Sequence, residues 1–506
     1  MTQAFHLTLL ASLMLHSSLL AAEPVPGLAP LLPDGKARPS RASVLLLGTL
    51  PEEVAQDVQH RMEDMATLYR LEGAAPALDD LLQSRQGRRL LQRRWHAIHV
   101  THPKAAEIEP RLKAGQSTEI VWGGTADAAA IEADLKAALL KSSTPWAELP
   151  KSEKRDPARL LQDGSLLADP DSLPLLPSKT GMIYHAQEGQ WQFNLHSFIT
   201  HHEGRFWAIW SSGRVDEDSS SQFIRYATSQ DGLAWSESAV AAPDPDGEAG
   251  PLRWLASGLY VENGSLYALG CLNLGGKDGK VWADATLKRL RWDGGGWKDE
   301  GVLANNCMVY FPPMKVAGRD FFVWRDERAH FFTARSLPGV AQWEVKKHPG
   351  HPPDYRMSET SAYADAEGTL HLIIRDQAKT RRLYHSLSFD HGDTWTLPVK
   401  TNYPDAVSKN MSGRLSNGWF YLINNPKTSS RDPLTITVSQ DGWTYGSPKI
   451  LRRGSPARRY KGGAKPERSF QYADAMEHDG RLWVIYATNK EDIEVSAFDI
   501  KDLVQP

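Results

Sequence analysis

Six times after residue 200, a turn glycine is followed by an apolar strand that runs into polar residues. The copies are HEGRFWAIWSSG, ENGSLYALG, VAGRDFFVWRDE, AEGTLHLIIRDQ, SNGWFYLINNP and HDGRLWVIYATN. Their glycines are Gly204, Gly264, Gly318, Gly368, Gly418 and Gly480, spaced 60, 54, 50, 50 and 62 residues apart. A unit of this length holds about four short strands and is the repeat expected of a propeller blade, which buries its faces only against its neighbours. The spacing therefore predicts an all-β, six-bladed propeller over residues 179–506. Residues 235–260 and 445–465 are the stretches where a degenerate seventh blade would hide.

A second pattern accompanies the first. Ser388, Asp390, Gly392 and Trp395 are spaced S-x-D-x-G-x-x-W, about 20 residues after Gly368, where the last two strands of that blade should turn. Looser copies are Ser229, Asp231, Gly232 and Trp235; Asp293, Gly294 and Trp297; Ser336, Gly339 and Trp343; and Ser439, Asp441, Gly442 and Tyr445. A carboxylate and a hydroxyl at this spacing cap the N–H groups of a turn. The glycine permits a left-handed backbone and the aromatic packs against the next blade. The pattern reads as repeated turn chemistry and not as catalytic carboxylates.

Upstream, the periodicity changes. Residues 1–22 read as a secretory signal peptide, with an apolar stretch from Phe5 to Leu20 ending in Ala21 and Ala22, so export is expected. Residues 23–41 read as a linker. Residues 42–141 read as a small α/β accessory domain. Its expected strands are Ser43–Leu47, His96–Val100 and Glu119–Trp122, and its expected helices are Glu52–Leu71, Ala77–Arg94 and Ala126–Leu140. It carries neither a glycine-rich phosphate loop nor metal-ligand spacing, and no cofactor is expected. Residues 142–178, rich in Ser, Pro and Asp, read as a second linker.

Lys+Arg 58 against Asp+Glu 61 gives a net charge of −3, without the basic run that a nucleic-acid partner demands. Nothing after residue 22 approaches the roughly 18 apolar residues of a membrane span. With only Cys271 and Cys307, the fold is no disulfide scaffold; one bridge and two buried thiols are both compatible with the sequence.

S-x-D-x-G-x-x-W on a blade period resembles the Asp box of the sialidase superfamily, over residues 179–506. The last three blades carry more specific likenesses. SETSAYADAEGTLHLIIRD supplies Glu359 and Arg375 in the order of the superfamily's glutamate and arginine, and Arg431 follows an Asn-Pro pair before an Asp box. FQYADAMEHDGRLWVIYA is similar to the strand bearing the tyrosine nucleophile, which would be Tyr472. The resemblance implies an exo-glycosidase that releases a terminal acidic sugar with retention. Arg375 and Arg431 would grip the carboxylate, and Glu359 would act as base for a phenol whose pKa of about 10 makes it a poor nucleophile alone. For the general acid, the loop SSGRVDEDSSSQ offers Asp216, Glu217 and Asp218. Asp218 is favoured, then Asp216, because the family's residue is an aspartate.

The sequence departs from the superfamily where a third arginine should stand in the first blade. QFNLHSFITHHEG puts Asn194 or His196 there. Further polar residues expected to reach the pore include Arg214, Arg325, Lys409 and Lys490, and such a concentration of cations suits an acidic glycan. Two rival readings stay open. A propeller lyase or uronate-directed glycosidase would use His196 with a tyrosine and an arginine, and a non-catalytic glycan-binding propeller would keep only the Asp boxes.

Overall fold

The computed structural model describes residues 28–30, 42–48, 50–62, 66–71, 97–101, 119–122, 127–142 and 159–505, the last range without 218, 246–250, 276–284, 327–330, 337–342, 348–356, 367, 389–390, 393–394, 396–397 and 461–467. The signal peptide and the helix expected over Ala77–Arg94 fall outside the described residues. The chain forms two compact units.

In the first unit, five strands lie in the order Leu28–Pro30, Ala66–Leu71, Ala42–Gly48, Ala97–Thr101 and Glu119–Trp122. Neighbours are parallel except the first pair. Helices span Glu52–Met62 and Ala128–Ser142. Leu46, Val58, Leu68, Ile131 and Leu135 form its described core.

Two expectations need correction. The helix read over Glu52–Leu71 stops at Met62, because Ala-Thr-Leu-Tyr-Arg-Leu pairs on both edges as a strand. Sheet partners here override a helical spacing, and Gln59 Oε1 accepts from Leu68 N at 2.7 Å to hold helix against strand. Leu28–Pro30, read as linker, is an edge strand.

In the second unit, six antiparallel sheets make a six-bladed propeller. The blades begin with inner strands Phe193–His202, Leu252–Glu262, Met308–Val309 continued by Met314–Val316, Met357–Ala364, Met411–Arg414 and Phe470–His478. The six repeat glycines all turn the inner strand into the second, with φ from +70° to +89°. Among the described residues, the stretches 235–260 and 445–465 supply ordinary strands of blades 1, 2 and 5 and no seventh sheet. Blade 6 takes its outermost strand, Lys179–Tyr184, from the start of the unit, paired to Asp492–Asp499.

The core lies between the blades. Alternation along a strand sends successive side chains to opposite faces. Leu482, Val484 and Tyr486 therefore pack toward blade 5, while Trp483, Ile485 and Ala487 pack toward blade 1. Ile374 and Ile373 divide in the same way between blades 3 and 5. Both faces are buried, which is why second strands such as LHLIIRD read as nearly continuous apolar runs. Residues 159–178 are not a free linker: Leu160, Leu161 and Leu167 join the cluster between blades 4 and 5, and Asn402 Oδ1 accepts from Leu160 N at 2.9 Å and Leu161 N at 2.8 Å.

The Asp-box turns follow the expected chemistry. Asp231 Oδ1 accepts from Leu233 N at 2.9 Å and Ala234 N at 2.8 Å, Gly232 N donates to Ser229 Oγ at 2.8 Å, and Trp235 Nε1 donates to Gly232 O at 3.0 Å. Asp441 and Ser439 repeat the pattern in blade 5. Asp293 accepts from Gly295 N and Gly296 N. Asp390 lies outside the described residues. Cys271 and Cys307 are both free and buried, which sets the bridge reading aside.

Two stability experiments follow from this packing. Gly232 and Gly264 share φ +74°, but a Cβ on Gly232 would sit 2.4 Å from Trp483, whereas one on Gly264 meets nothing within 4 Å. In urea unfolding, Gly264→Ala should cost about 1 kcal/mol for the left-handed backbone; Gly232→Ala should cost roughly 1–3 kcal/mol more through overpacking between blades 1 and 6. The second experiment concerns His385, which lies buried 3.1 Å from His371; burial and then His371 hold its pKa well below the usual histidine value. The unfolded chain binds the proton more readily, so this group's contribution is present above about pH 6.5 and is lost as pH falls below it. The melting temperature should drop between pH 7 and 5, and His385→Gln should flatten that drop.

Candidate active site

The inner strands of blades 1, 4 and 6 each carry a bulge. The register shifts between Leu195 and Phe198, between Ser358 and Ser361, and between Gln471 and Asp474. The extra residues include His196, Glu359 and Tyr472, at φ 54°, 27° and 59°. A bulge re-aims a side chain at the expense of a ladder position, and non-glycine residues hold left-handed backbone only where the surroundings impose it. Here all three side chains meet, although blades 4 and 6 are not neighbours.

Tyr472 Oη donates to Glu359 Oε1 at 2.5 Å. Arg375 forms an ion pair with Glu359 Oε2, and its Nη1 also donates to Tyr472 Oη at 3.1 Å. The Arg431 guanidinium lies 5.7 Å from the Tyr472 ring centroid, with Nη2 donating to Val407 O at 2.7 Å and Nη1 to Gln471 Oε1. The Asn-Pro pair acts through Asn425, whose Nδ2 donates to the carbonyls of Arg431, Pro433 and Phe470, pinning the loop to blade 6.

Electrostatics set the protonation states. Burial, then the Glu359 charge, pushes the Tyr472 phenol well above its ordinary value. Burial would also raise Glu359, but Arg375 and the Tyr472 hydrogen bond outweigh it and hold the carboxyl below its usual range. At neutral pH the pair is a protonated phenol on an ionised carboxylate.

A second buried ion pair lies beside the first. Lys490 Nζ, on the segment after the second strand of blade 6, contacts Glu217 Oε2, on the loop after the second strand of blade 1. Burial works against the Glu217 charge, while Lys490, His196 and Arg431 together hold the carboxyl at about 2. His196 packs edge-on against Tyr472 at 5.3 Å between centroids. Burial brings this histidine down to about 4, so its imidazole is neutral at pH 7. Nearby, the Lys409 ammonium sits 4.4 Å from the centroids of both Phe198 and Phe311, and burial lowers it to about 8.

The BNR repeat-like domain model matches residues 204–485. The chain belongs to the BNR repeat-like domain family. Among solved structures, the Hadza microbial sialidase Hz136 matches at 17% identity and a TM-score of 0.53, over 64% of this chain and 69% of that one. A protein of unknown function from Dyadobacter fermentans DSM 18053 matches at 14% identity and a TM-score of 0.51, over 65% of this chain and all of that one. Both likenesses are of fold. No curated protein matches.

In this BNR repeat-like protein, Tyr472, Glu359, Arg375, Arg431 and His196 come together, and several other expected site residues do not join them. Asn194 is fully buried in a structural role: Nδ2 donates to Trp191 O and Glu491 O, and Oδ1 accepts from Trp210 Nε1 and Ser212 Oγ. Arg214 is exposed and stacks over Trp191 at 4.6 Å. Arg325 donates to Tyr310 Oη at 2.6 Å, and it stays close enough to Glu359 and Arg375 to interact with both charges. Asp216 caps its own loop, accepting from Ser219 N at 2.9 Å. Asp218 lies outside the described residues. Among the loop's described residues, Glu217 is the one that reaches the site, where the resemblance favours an aspartate; its pairing with Lys490, 273 positions away, has no local sequence signal. Among the described residues, no group of three or more His, Cys, Asp or Glu side chains is placed to hold a metal ion.

The Glu217–Lys490 pair yields a direct check. Lys490→Met strands a buried carboxylate and should cost about 3–5 kcal/mol in chemical unfolding. The double variant Lys490→Met/Glu217→Gln should recover much of that loss.

Proposed function

We propose that the chain is an exported exo-glycosidase of the sialidase type that releases a terminal acidic sugar with retention of configuration. The observation that carries this reading is the 2.5 Å hydrogen bond from Tyr472 to Glu359, flanked by Arg375 and Arg431. A neutral phenol beside an ionised carboxylate is the starting state for base-assisted attack. Glu359 takes the phenolic proton as Tyr472 Oη bonds to the anomeric carbon and the glycosidic oxygen leaves. Water then displaces Tyr472 as it gives one proton to the carboxylate that protonated the leaving oxygen in the first step, and the proton held by Glu359 returns to the phenolate oxygen. The two guanidiniums hold the sugar carboxylate, and a neutral nucleophile avoids driving an anion toward a carbon that already bears one.

The leaving oxygen needs a proton. The reading supported best is that Glu217 supplies it, in the loop where the resemblance expects the acid. In the free site Lys490 keeps Glu217 ionised. A substrate carboxylate that draws Lys490 away would free this carboxyl to carry a proton, and Lys490 would then serve as the third cation where the first-blade arginine is missing. Asp218, the sequence-based choice, is the rival in the same loop.

His196 favours a second reading. A neutral imidazole against the Tyr472 ring suits a lyase, with His196 taking the C5 proton of a uronate and Tyr472 donating to the leaving oxygen.

Turnover of an aryl sialoside, followed by NMR for the configuration of the first-formed sugar, tests the main reading. Tyr472→Phe and Glu359→Gln should each lower kcat/KM by at least about 100-fold, and Glu217→Gln should harm turnover more than Asp218→Asn. Undiminished activity in Tyr472→Phe overturns the mechanism. Ultraviolet absorbance from an unsaturated uronate product marks the lyase, and glycan binding without turnover marks a non-catalytic propeller.

A further inference from the structure

Beside the Tyr472–Glu359 pair a cleft of about 610 Å³ opens between the end loops of blades 4 and 5. Arg375 and Arg431 form the wall it shares with the proposed sugar site, while Tyr472 and Glu359 do not line it. Four of its ten lining residues are basic, Lys379 and Arg381 being the other two, and none is acidic. Thr428, Ser429 and Ser430 face them with hydroxyl groups. The Arg375 side chain is only 7% exposed, yet its Nε has no hydrogen-bond partner among the described residues.

The basic loop is held in place rather than draped. Asp376 accepts from Ala378 N at 2.9 Å and Thr380 N at 2.7 Å, and Asp405 N donates to Arg381 O at 3.1 Å. Lys379 and Arg381 both take left-handed backbone, at φ 67° and 63°. Among the described residues, Asp376 and Asp405 are the carboxylate residues that hold this loop, and both are buried. Lys379 and Arg381 remain exposed at the mouth. A concave wall whose charged lining residues are all basic concentrates anions.

We infer that this cleft is a subsite for a second anionic group, so that the preferred substrate is a glycan whose penultimate sugar carries a carboxylate or a sulfate. This rests on the reading of the Tyr472 site as an exo-glycosidase. The chemistry shared by both sources is a compact oxyanion that accepts from guanidinium and hydroxyl donors.

The test compares three probes: a disialoside with a carboxylate on its second sugar, a sialoside on 6-sulfated galactose, and sialyl-lactose, whose second sugar is neutral. The wild-type protein should favour at least one anionic probe over sialyl-lactose in kcat/KM. The double variant Lys379→Ala/Arg381→Ala should erase about tenfold of that ratio, and raised salt should narrow it in the wild type. The two anionic arms separate carboxylate from sulfate. Equal use of all three probes by the wild type, or a preference that survives the double variant, overturns the subsite. If no probe is turned over, the glycosidase reading fails on its own. Calorimetry with Tyr472→Phe protein then still decides the cleft: tighter binding of an anionic probe than of sialyl-lactose supports it, and equal binding rejects it.

Discussion

The pairing of Lys179–Tyr184 with Asp492–Asp499 is the constraint on which the rest of the propeller depends. It builds the sixth blade from the two ends of the repeat region. Without it, the face carrying Trp483, Ile485 and Ala487 would not be held against Phe193, Leu195 and Trp210 of blade 1. Each blade is a sheet with two apolar faces, and only a closed ring leaves none of those faces in water. Closure also fixes where the inner strands lie, so residues more than a hundred positions apart share one axis. Tyr472 and Glu359 are 113 positions apart and 2.5 Å from each other.

The bulges turn that scaffold into a site. A regular strand would leave the side chains at 196, 359 and 472 pointing into the interblade packing. The extra residue in each strand rotates them toward one another. Bringing a phenol, two carboxylates, an imidazole, two guanidiniums and two ammonium groups into one buried region is expensive unless charges are matched. Matching is local: Arg375 answers Glu359, Lys490 answers Glu217, and the neutral forms of Tyr472 and His196 remove two further charges. Lys409 makes no ion pair among the described residues; two aromatic faces and the Asp474 charge support its ammonium.

How legible each part was in the sequence depends on the range of the interaction responsible. The repeat glycines and the Asp boxes act within five or six residues, so their spacing alone disclosed the six blades and their turns. Glu359, Arg375, Arg431 and Tyr472 were legible because each sits at a fixed place in a blade. Failures came where a distant partner decides. Ala66–Leu71 has helical spacing but two strands to pair with. Residues 159–178 look like a linker, yet Leu160, Leu161 and Leu167 fill the gap between blades 4 and 5. Arg214 looks like a pore cation, but Trp191 offers it a stacking face outside. Asn194 stands where an arginine was expected and is consumed by four structural hydrogen bonds.

By itself, then, the sequence determined the number of blades, the chemistry of their turns and the residue types available to the site. Those properties follow from backbone conformation and from the period-2 burial of strands, which are local. Tertiary structure alone decided that the ring closes through its first strand, that Glu217 and not Asp216 meets Lys490, and that Lys379 and Arg381 join Arg375 and Arg431 in one cleft. Those choices depend on side chains brought together by ring closure and inner-strand bulges, and neither sets any spacing along the chain.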